Sequence, residues 1–296
     1  MIKNWIEAFR LRTLPLALSS IAMGSFLAAT KGFFEIKICA LAICTTVILQ
    51  ILSNLANDLG DTMNGADHEG RVGPTRAVQS GAISKKSMTV AVIIFAIGSL
   101  VSGLGLLYLS IGLINLKFLI FLILGILCIA AAIKYTAGSK PYGYSGLGDV
   151  SVFVFFGLVG VCGTYFLYTG YFNAVILLPA TTCGLFATAV LNLNNMRDIV
   201  SDKLVGKNTI PVRLGLANAK RYHVILIALA WVAAIAYTSI LFVSFYYFLF
   251  LILLPISIFH LLQIVGREGA FLDSYLKKTA LTTLFFVLLW GIGMNL

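Results

Sequence analysis

The chain has 296 residues, of which 60% are apolar and only 11% are charged, and its formal net charge is +10. This composition excludes disordered, fibrous and disulfide-stapled proteins and leaves little polar sequence for a soluble domain. The apolar residues suffice for about nine helices of about 20 residues, the length that crosses a membrane. We therefore expect an all-α polytopic membrane protein, folded as a single domain over residues 1–296.

Nine apolar runs are separated by polar stretches, some of them so short that eight or ten spans remain possible. The first run follows Lys3, Arg10 and Arg12, as in a signal peptide. We interpret it as a retained span because eight more apolar runs follow it. The predicted spans are residues 14–30, 36–56, 88–110, 115–133, 150–169, 172–193, 222–243, 245–264 and 279–295.

The positions of the basic residues predict how these spans are oriented. With a cytoplasmic N-terminus, eighteen of the 21 Lys and Arg residues lie on the cytoplasmic side, and only Lys31, Lys37 and Lys117 lie on the other. This bias follows the positive-inside rule and predicts a multi-pass protein of the inner (cytoplasmic) membrane. It also accounts for the basic net charge without a nucleic-acid partner.

The acidic residues have the same one-sided distribution, since ten of eleven lie on the predicted cytoplasmic side and only Glu35 does not. The positive-inside rule places cations and does not explain acids. The loops richest in charge, 57–87 and 194–221, are also the longest, which is typical of functional loops. These observations indicate a functional site at the cytoplasmic end of the bundle.

Two helix ends carry the same pattern of an amide followed by carboxylates, 140 residues apart. At about 100° per residue, each set falls on one narrow helical face. The sets are Asn54, Asp58 and Asp61 after the second span, and Asn194, Asp198 and Asp202 after the sixth.

Neighbouring carboxylates repel one another unless a cation joins them, and Mg²⁺ prefers oxygen ligands while leaving positions for phosphate oxygens. Two such clusters therefore suit a diphosphate. The alternative is that these acids solvate helix ends or pair with nearby arginines.

Basic residues occupy the same loops, where cations stabilise the charge of a departing diphosphate. These residues are Arg71, Arg76, Lys140, Arg197, Lys203, Lys207 and Arg213.

Four stretches of the chain, between about residues 8 and 215, resemble the UbiA-type intramembrane prenyltransferases. Within that family they are most similar to the branch that uses 1,4-dihydroxy-2-naphthoate in menaquinone synthesis. One departure is Gly65, which stands where the wider family often has a third acid, so the role of Asp67 stays open. The similar stretches are Ala8–Pro15, Gln50–Arg76, Tyr142–Val150 and Asn194–Thr209.

The resemblance implies a UbiA-like bundle that transfers a polyprenyl group from polyprenyl diphosphate to 1,4-dihydroxy-2-naphthoate. The acceptor loses its carboxylate, and the product is a demethylmenaquinone. The resemblance also implies two Mg²⁺ ions. Their expected ligands are Asn54, Asp58 and Asp61 for one ion, and Asn194, Asp198 and Asp202 for the other.

The four aspartates of these clusters and Asp149 are the expected catalytic residues. Asp149 would orient or deprotonate the acceptor hydroxyl, although an acid at a helix start also serves as a cap. Arg76, Lys140 and Arg197 are expected to bind the diphosphate. Arg12 is expected to meet the acceptor carboxylate, with an anionic lipid headgroup as the alternative partner.

Two other functions remain open from the sequence. A related prenyltransferase with 4-hydroxybenzoate or a porphyrin-like acceptor shares every argument about the diphosphate. A transporter also binds ions through paired Asn and Asp residues, and Pro179 and Pro255 predict kinked spans. Transporter sites, however, typically lie near the membrane midplane, whereas these acids lie at one surface.

Overall fold

The computed structural model describes residues 2–65, 73, 75–112 and 114–296, and these residues form helices without strands. Nine helical segments within the described ranges are long and apolar enough to cross a membrane. The predicted all-helical architecture is therefore confirmed. The nine segments are Ile2–Ala29, Ile36–Met63, Lys85–Ile111, Leu116–Lys134, Gly148–Thr169, Ala174–Arg197, Leu216–Ile240, Phe245–Val265 and Phe271–Asn295.

Several spans contain more than one helix. A turn at Arg10, whose φ is 48°, separates the first two helices, and an 11-residue π-helix, Phe153–Gly163, lies within the fifth span. The α-helices are α1 Ile2–Phe9, α2 Leu14–Ala29, α3 Ile36–Met63, α4 Lys85–Ile111, α5 Leu116–Lys134, α6 Gly148–Val152, α7 Thr164–Thr169, α8 Leu177–Arg197, α9 Ile199–Leu204, α10 Ile210–Leu214, α11 Leu216–Ile240, α12 Leu254–Val265 and α13 Phe271–Asn295.

Side-chain caps fix where α3, α4 and α5 begin. Ser84 accepts a hydrogen bond from the backbone N–H three residues later at 3.1 Å, and Asn115 does the same at 3.0 Å. Glu35 accepts from the N–H two residues later at 3.2 Å. These caps satisfy amide groups that have no partner within the helix.

Glycines allow α8 to lie directly against the π-helix. A Cβ atom on Gly157 would lie 2.6 Å from the backbone oxygen of Ala180, and one on Gly184 would lie 2.8 Å from the ring of Phe153. Small residues at such contacts let helix backbones approach closely in a membrane. The π-helix and α8 therefore form a tightly packed pair.

The core lies between α8, α11, α13 and the segment Phe245–Leu253, which precedes α12. The ring of Phe286 packs on Phe186, Trp231 and Phe250, with centroids 5.0, 4.9 and 4.9 Å away. In contrast, α4 and α5 expose many branched apolar side chains, such as Ile94 and Ile123. Exposed apolar faces of this kind suit contact with lipid.

Candidate diphosphate site

The acidic end of the bundle is the end where α3 carries Asp58 and Asp61 and where α8 meets α9. The second cluster does not lie on one uninterrupted helix, because Asn194 belongs to α8, Asp198 lies between the two helices and Asp202 belongs to α9.

On α3, Asp58 is only 1% exposed. Its two oxygens accept backbone hydrogen bonds from Ala77 at 3.1 Å and Val78 at 3.2 Å. Asp58 therefore holds the turn that follows Arg76 against α3.

Asp61, one turn further along α3, is buried among cationic and hydroxyl groups. Its Oδ1 atom accepts from the Tyr144 hydroxyl at 2.5 Å and from Lys207 Nζ at 3.1 Å. Its Oδ2 atom forms an ion pair with Arg76, which also donates to the backbone oxygen of Asn57 at 2.6 Å. The three partners come from three separate loops.

Asn54 connects α3 to the first span. Its amide nitrogen donates to the backbone oxygen of Phe9 at 2.8 Å and to Thr13 Oγ1 at 3.0 Å. These bonds hold the turn at Arg10 against α3 and fix the orientation of the Asn54 side chain.

Arg197 organises the second cluster. Its guanidinium bonds both carboxylate oxygens of Asp198, at 2.9 and 2.6 Å, and donates to Asn194 Oδ1 at 3.0 Å. It also forms an ion pair with Asp273 of α13, which Arg12 contacts at 3.2 Å. Arg197 is only 2% exposed, and such a buried charge requires close partners of the opposite sign.

Lys207 joins the two clusters. Its Nζ atom lies 3.1 Å from Asp61 and 3.9 Å from Asp202, over the ring of Tyr144 with 4.5 Å to the centroid. The carboxylates of α3 and α9 therefore face each other across one ammonium group. This confirms that the two sequence clusters lie at the same end of the bundle.

The remaining predicted site residues have different surroundings. Asp149 is buried and accepts from the Tyr222 hydroxyl at 3.0 Å, while Leu147 occupies the N-cap position of α6. Lys140 lies exposed in the loop before α6, and Arg12 pairs with Asp273. Asp67 and Arg71 lie outside the described residues.

A cavity of about 400 Å³ begins beside the α3 cluster and runs into the bundle. Asn54 and Asn57 line its polar end, and it reaches Ala42 of α3, about 22 Å away at 1.5 Å per residue. Most of its lining is apolar and includes Phe121 and Phe155. The cavity therefore suits a long apolar chain whose polar head lies near α3.

Two tyrosines stand at the polar end of this cavity. Burial raises the pKa of Tyr135, and the charge of Asp149 raises it further. Burial also raises the pKa of Tyr142. Both hydroxyls consequently stay protonated and uncharged at neutral pH.

Sequence reasoning missed several partners of these residues. Tyr144 lies within one of the stretches that carried the family resemblance, and Lys207 was one of several basic loop residues. The only sequence signal for Asp273 was the one-sided distribution of acids, and none pointed to Tyr222. These contacts join residues far apart in sequence, so spacing alone does not reveal them.

The fold and the paired clusters together define a polytopic helical membrane protein with a carboxylate- and cation-lined site at one end of its bundle. The UbiA prenyltransferase family matches residues 17–271, which is most of the chain. The chain therefore belongs to the UbiA prenyltransferase family.

Similar proteins support this assignment. The chain is 43% identical to a 1,4-dihydroxy-2-naphthoate octaprenyltransferase of Haemophilus influenzae, covering 99% of this chain and 96% of that protein. It is 44% identical to the Escherichia coli protein of the same name, covering 96% and 94%. The structure of a UbiA homologue from Aeropyrum pernix is similar in fold, with a TM-score of 0.66, 18% identity and coverage of 96% and 97%.

A UbiA homologue from Archaeoglobus fulgidus, solved bound to DMAPP and Mg²⁺, also has this fold. Its TM-score is 0.59 at 17% identity, with coverage of 96% of this chain and 98% of that one.

Proposed function

We propose that this protein transfers a polyprenyl group from polyprenyl diphosphate to 1,4-dihydroxy-2-naphthoate, with loss of the acceptor carboxylate, to give the reduced (quinol) form of a demethylmenaquinone. The observation that carries this proposal is the pair of acidic clusters facing each other across Lys207 beside an apolar cavity. The names of the relatives at 43% and 44% identity support the naphthoate acceptor.

The donor atoms of the clusters fit Mg²⁺ in their chemistry, because all are carboxylate or amide oxygens. Among the described residues, no three His, Cys, Asp or Glu side chains converge closely enough to hold a metal ion. The carboxylates are instead separated by Arg76, Arg197 and Lys207. The proposed ligands for two ions are Asn54, Asp58 and Asp61, and Asn194, Asp198 and Asp202.

Mg²⁺, when bound, neutralises charge on the leaving diphosphate. Arg76, Arg197 and Lys207 pair with these carboxylates. A diphosphate bound beside the carboxylates would therefore also lie close to these three cations. Charge-assisted bonds from Arg76, Arg197 and Lys207 to the diphosphate oxygens would stabilise the negative charge that develops as the C–O bond breaks. Lys140, which is exposed, stays a weaker candidate for the same role.

The proposed reaction breaks the allylic C–O bond of the donor, and its electron pair leaves with the diphosphate. The carboxylate-bearing ring carbon of the acceptor attacks the allylic cation and forms the new C–C bond. The bond to the carboxylate then breaks, returns its electron pair to the ring and releases CO₂. No ring C–H proton has to be removed, which leaves Asp149 the task of orienting or deprotonating an acceptor hydroxyl.

The chain's own residues protect the cation from water. The apolar cavity excludes solvent, and its aromatic faces, including Phe121, Phe155 and Phe156, stabilise positive charge. Neutral hydroxyls of Tyr135 and Tyr142 stand at the polar end without adding a competing nucleophilic anion. Arg12, close to Asp273, is proposed to meet the acceptor carboxylate.

We place this site on the cytoplasmic side of the inner membrane, with a cytoplasmic N-terminus. The support is the one-sided distribution of Lys and Arg residues.

The test is a product assay in membranes that contain the protein, with octaprenyl diphosphate as donor. 1,4-Dihydroxy-2-naphthoate and 4-hydroxybenzoate are compared as acceptors, each with Mg²⁺ and with chelator. We expect a prenylated, decarboxylated naphthol that disappears with chelator. Transfer only to 4-hydroxybenzoate would contradict the acceptor assignment, and transfer to neither in folded protein would contradict the function.

A further inference from the structure

Two loops at the acidic end each provide one side chain that hydrogen-bonds to the same carboxylate oxygen of Asp61. Loop 135–147 carries Tyr144, and loop 205–209 carries Lys207. Both reach Asp61 Oδ1, at 2.5 and 3.1 Å. The spacing between the two loops therefore determines whether both groups reach Asp61 together.

A backbone hydrogen bond already joins these loops. The Asn208 N–H donates to the Tyr144 oxygen at 2.8 Å, one residue after Lys207. A single bond of this kind at an exposed surface contributes only about 1 kcal/mol. A second connection between the two loops would add to this bond.

Arg213 of α10 supplies that connection. Its Nε atom donates to the backbone oxygen of Asn208 at 3.0 Å, and its Nη2 atom donates to the backbone oxygen of Ser145 at 2.6 Å. One planar guanidinium thus bonds both loops, a geometry that the single ammonium of lysine does not reproduce. The Arg213 side chain is itself exposed.

Gly146 provides the space for this guanidinium. Its φ is 76°, a left-handed conformation that favours glycine. A Cβ atom there would lie 2.7 Å from Arg213 Cζ. A side chain at this position would therefore strain the turn and displace the guanidinium from its place against the loop.

We propose that Arg213 is a positioning residue that clamps loop 135–147 to loop 205–209, so that Tyr144 and Lys207 hold Asp61 in place for diphosphate binding. Because Lys207 also approaches Asp202 at 3.9 Å, the clamp sets the spacing between the two acidic clusters. The consequence for catalysis rests on the proposed function, whereas the clamp itself does not.

The first test is hydrogen exchange of the purified full chain without substrate. In Arg213→Gln we expect at least tenfold faster exchange of the Asn208 amide and its neighbours in both loops. The matched control is Arg221→Gln, because Arg221 is also exposed and bonds Asn218 within its own helix at 3.3 Å. Unchanged exchange in Arg213→Gln would overturn the clamp, even if the protein has another activity.

The second test separates a clamp from a simple charge. For Arg213→Gln and Arg213→Lys we expect the KM for prenyl diphosphate to rise about 10- to 100-fold, as for other supporting residues of metal sites, with the acceptor KM unchanged. A wild-type KM in Arg213→Lys would show that only the charge matters and would overturn the proposal.

Gly146→Ala provides an independent route to the same defect. We expect it to reproduce the exchange and KM changes of Arg213→Gln, and the double variant to be no worse than either single variant. Effects that multiply in the double variant would contradict a shared clamp. If wild-type protein prenylates no acceptor, the proposed function fails, while the exchange experiment still tests the clamp.

Discussion

At the scale of single residues, two of the buried carboxylates are paired with cations of the protein itself. Asp61 has Arg76 and Lys207, and Asp198 has Arg197. A buried carboxylate without such a partner costs several kcal/mol. The same cations also carry the charge that the proposed diphosphate would need.

Tyr144 is expected to support Mg²⁺ binding by Asp61, because its hydroxyl makes the 2.5 Å hydrogen bond that orients this carboxylate. Tyr144→Phe removes that bond and leaves the ring under Lys207. We expect the Mg²⁺ concentration for half-maximal prenyl transfer to rise about 10- to 100-fold, as for other residues that support metal ligands.

The control is Tyr237→Phe on α11, another buried tyrosine, whose ring packs on Trp290 in the core. Its Mg²⁺ dependence should match that of wild type. An unchanged Mg²⁺ dependence in Tyr144→Phe would show that Asp61 does not rely on this hydrogen bond.

At the scale of helices, the sequence predicts where spans lie better than where they end. Residues 36–56 are predicted for the second span, but α3 continues to Met63, and the last span begins at Phe271 instead of residue 279. The hydropathy pattern does not detect these terminal helical turns because they carry the polar residues of the site. The helix continues through them because its backbone bonds do not depend on apolar side chains.

The candidate site is predictable only in part, for a related reason. Helical spacing alone places Asn54, Asp58 and Asp61 on one face, and the structure keeps them in one helix. One partner of Asp61 is Lys207, 146 residues away. Local periodicity carries no information about such a pairing, which depends on how the loops pack.

The contact between the π-helix and α8 gives an element-scale prediction. Gly184→Val places a side chain against Phe153, where even a Cβ atom would lie 2.8 Å from the ring. Overpacking of this kind typically costs about 1–3 kcal/mol, so we expect a lower thermal midpoint in detergent. Gly125→Ala in α5, where a Cβ meets nothing within 4 Å, is the control and should melt like wild type. Equal midpoints for both variants would contradict close packing at this contact.

At the scale of the whole molecule, the basic residues and the site lie at the same end of the bundle. Lys207 and Arg76 are both cations of loops and partners of Asp61. The residues that orient a membrane protein by the positive-inside rule thus overlap with those proposed to bind the diphosphate. This overlap predicts that the site opens to the cytoplasm.

Cysteine labelling tests that orientation. In a variant without its five native cysteines, Lys31→Cys and Lys203→Cys place exposed thiols at opposite ends of the bundle. In cells whose outer membrane is made permeable while the inner membrane stays intact, a membrane-impermeant maleimide should label only the thiol at position 31. Labelling of position 203 without lysis would reverse the proposed topology.

The most direct measurement is prenyl transfer to 1,4-dihydroxy-2-naphthoate by wild type, Asp58→Asn and Asp198→Asn, at saturating Mg²⁺ and with chelator. The central claim is that the cluster on α3 and the cluster at the junction of α8 and α9 serve one diphosphate. It predicts that either substitution alone lowers the rate at least about 100-fold, as does loss of a group that stabilises a transition state, and that chelator abolishes the wild-type reaction. Normal turnover in either variant, with its fold intact, would contradict a site shared by the two clusters.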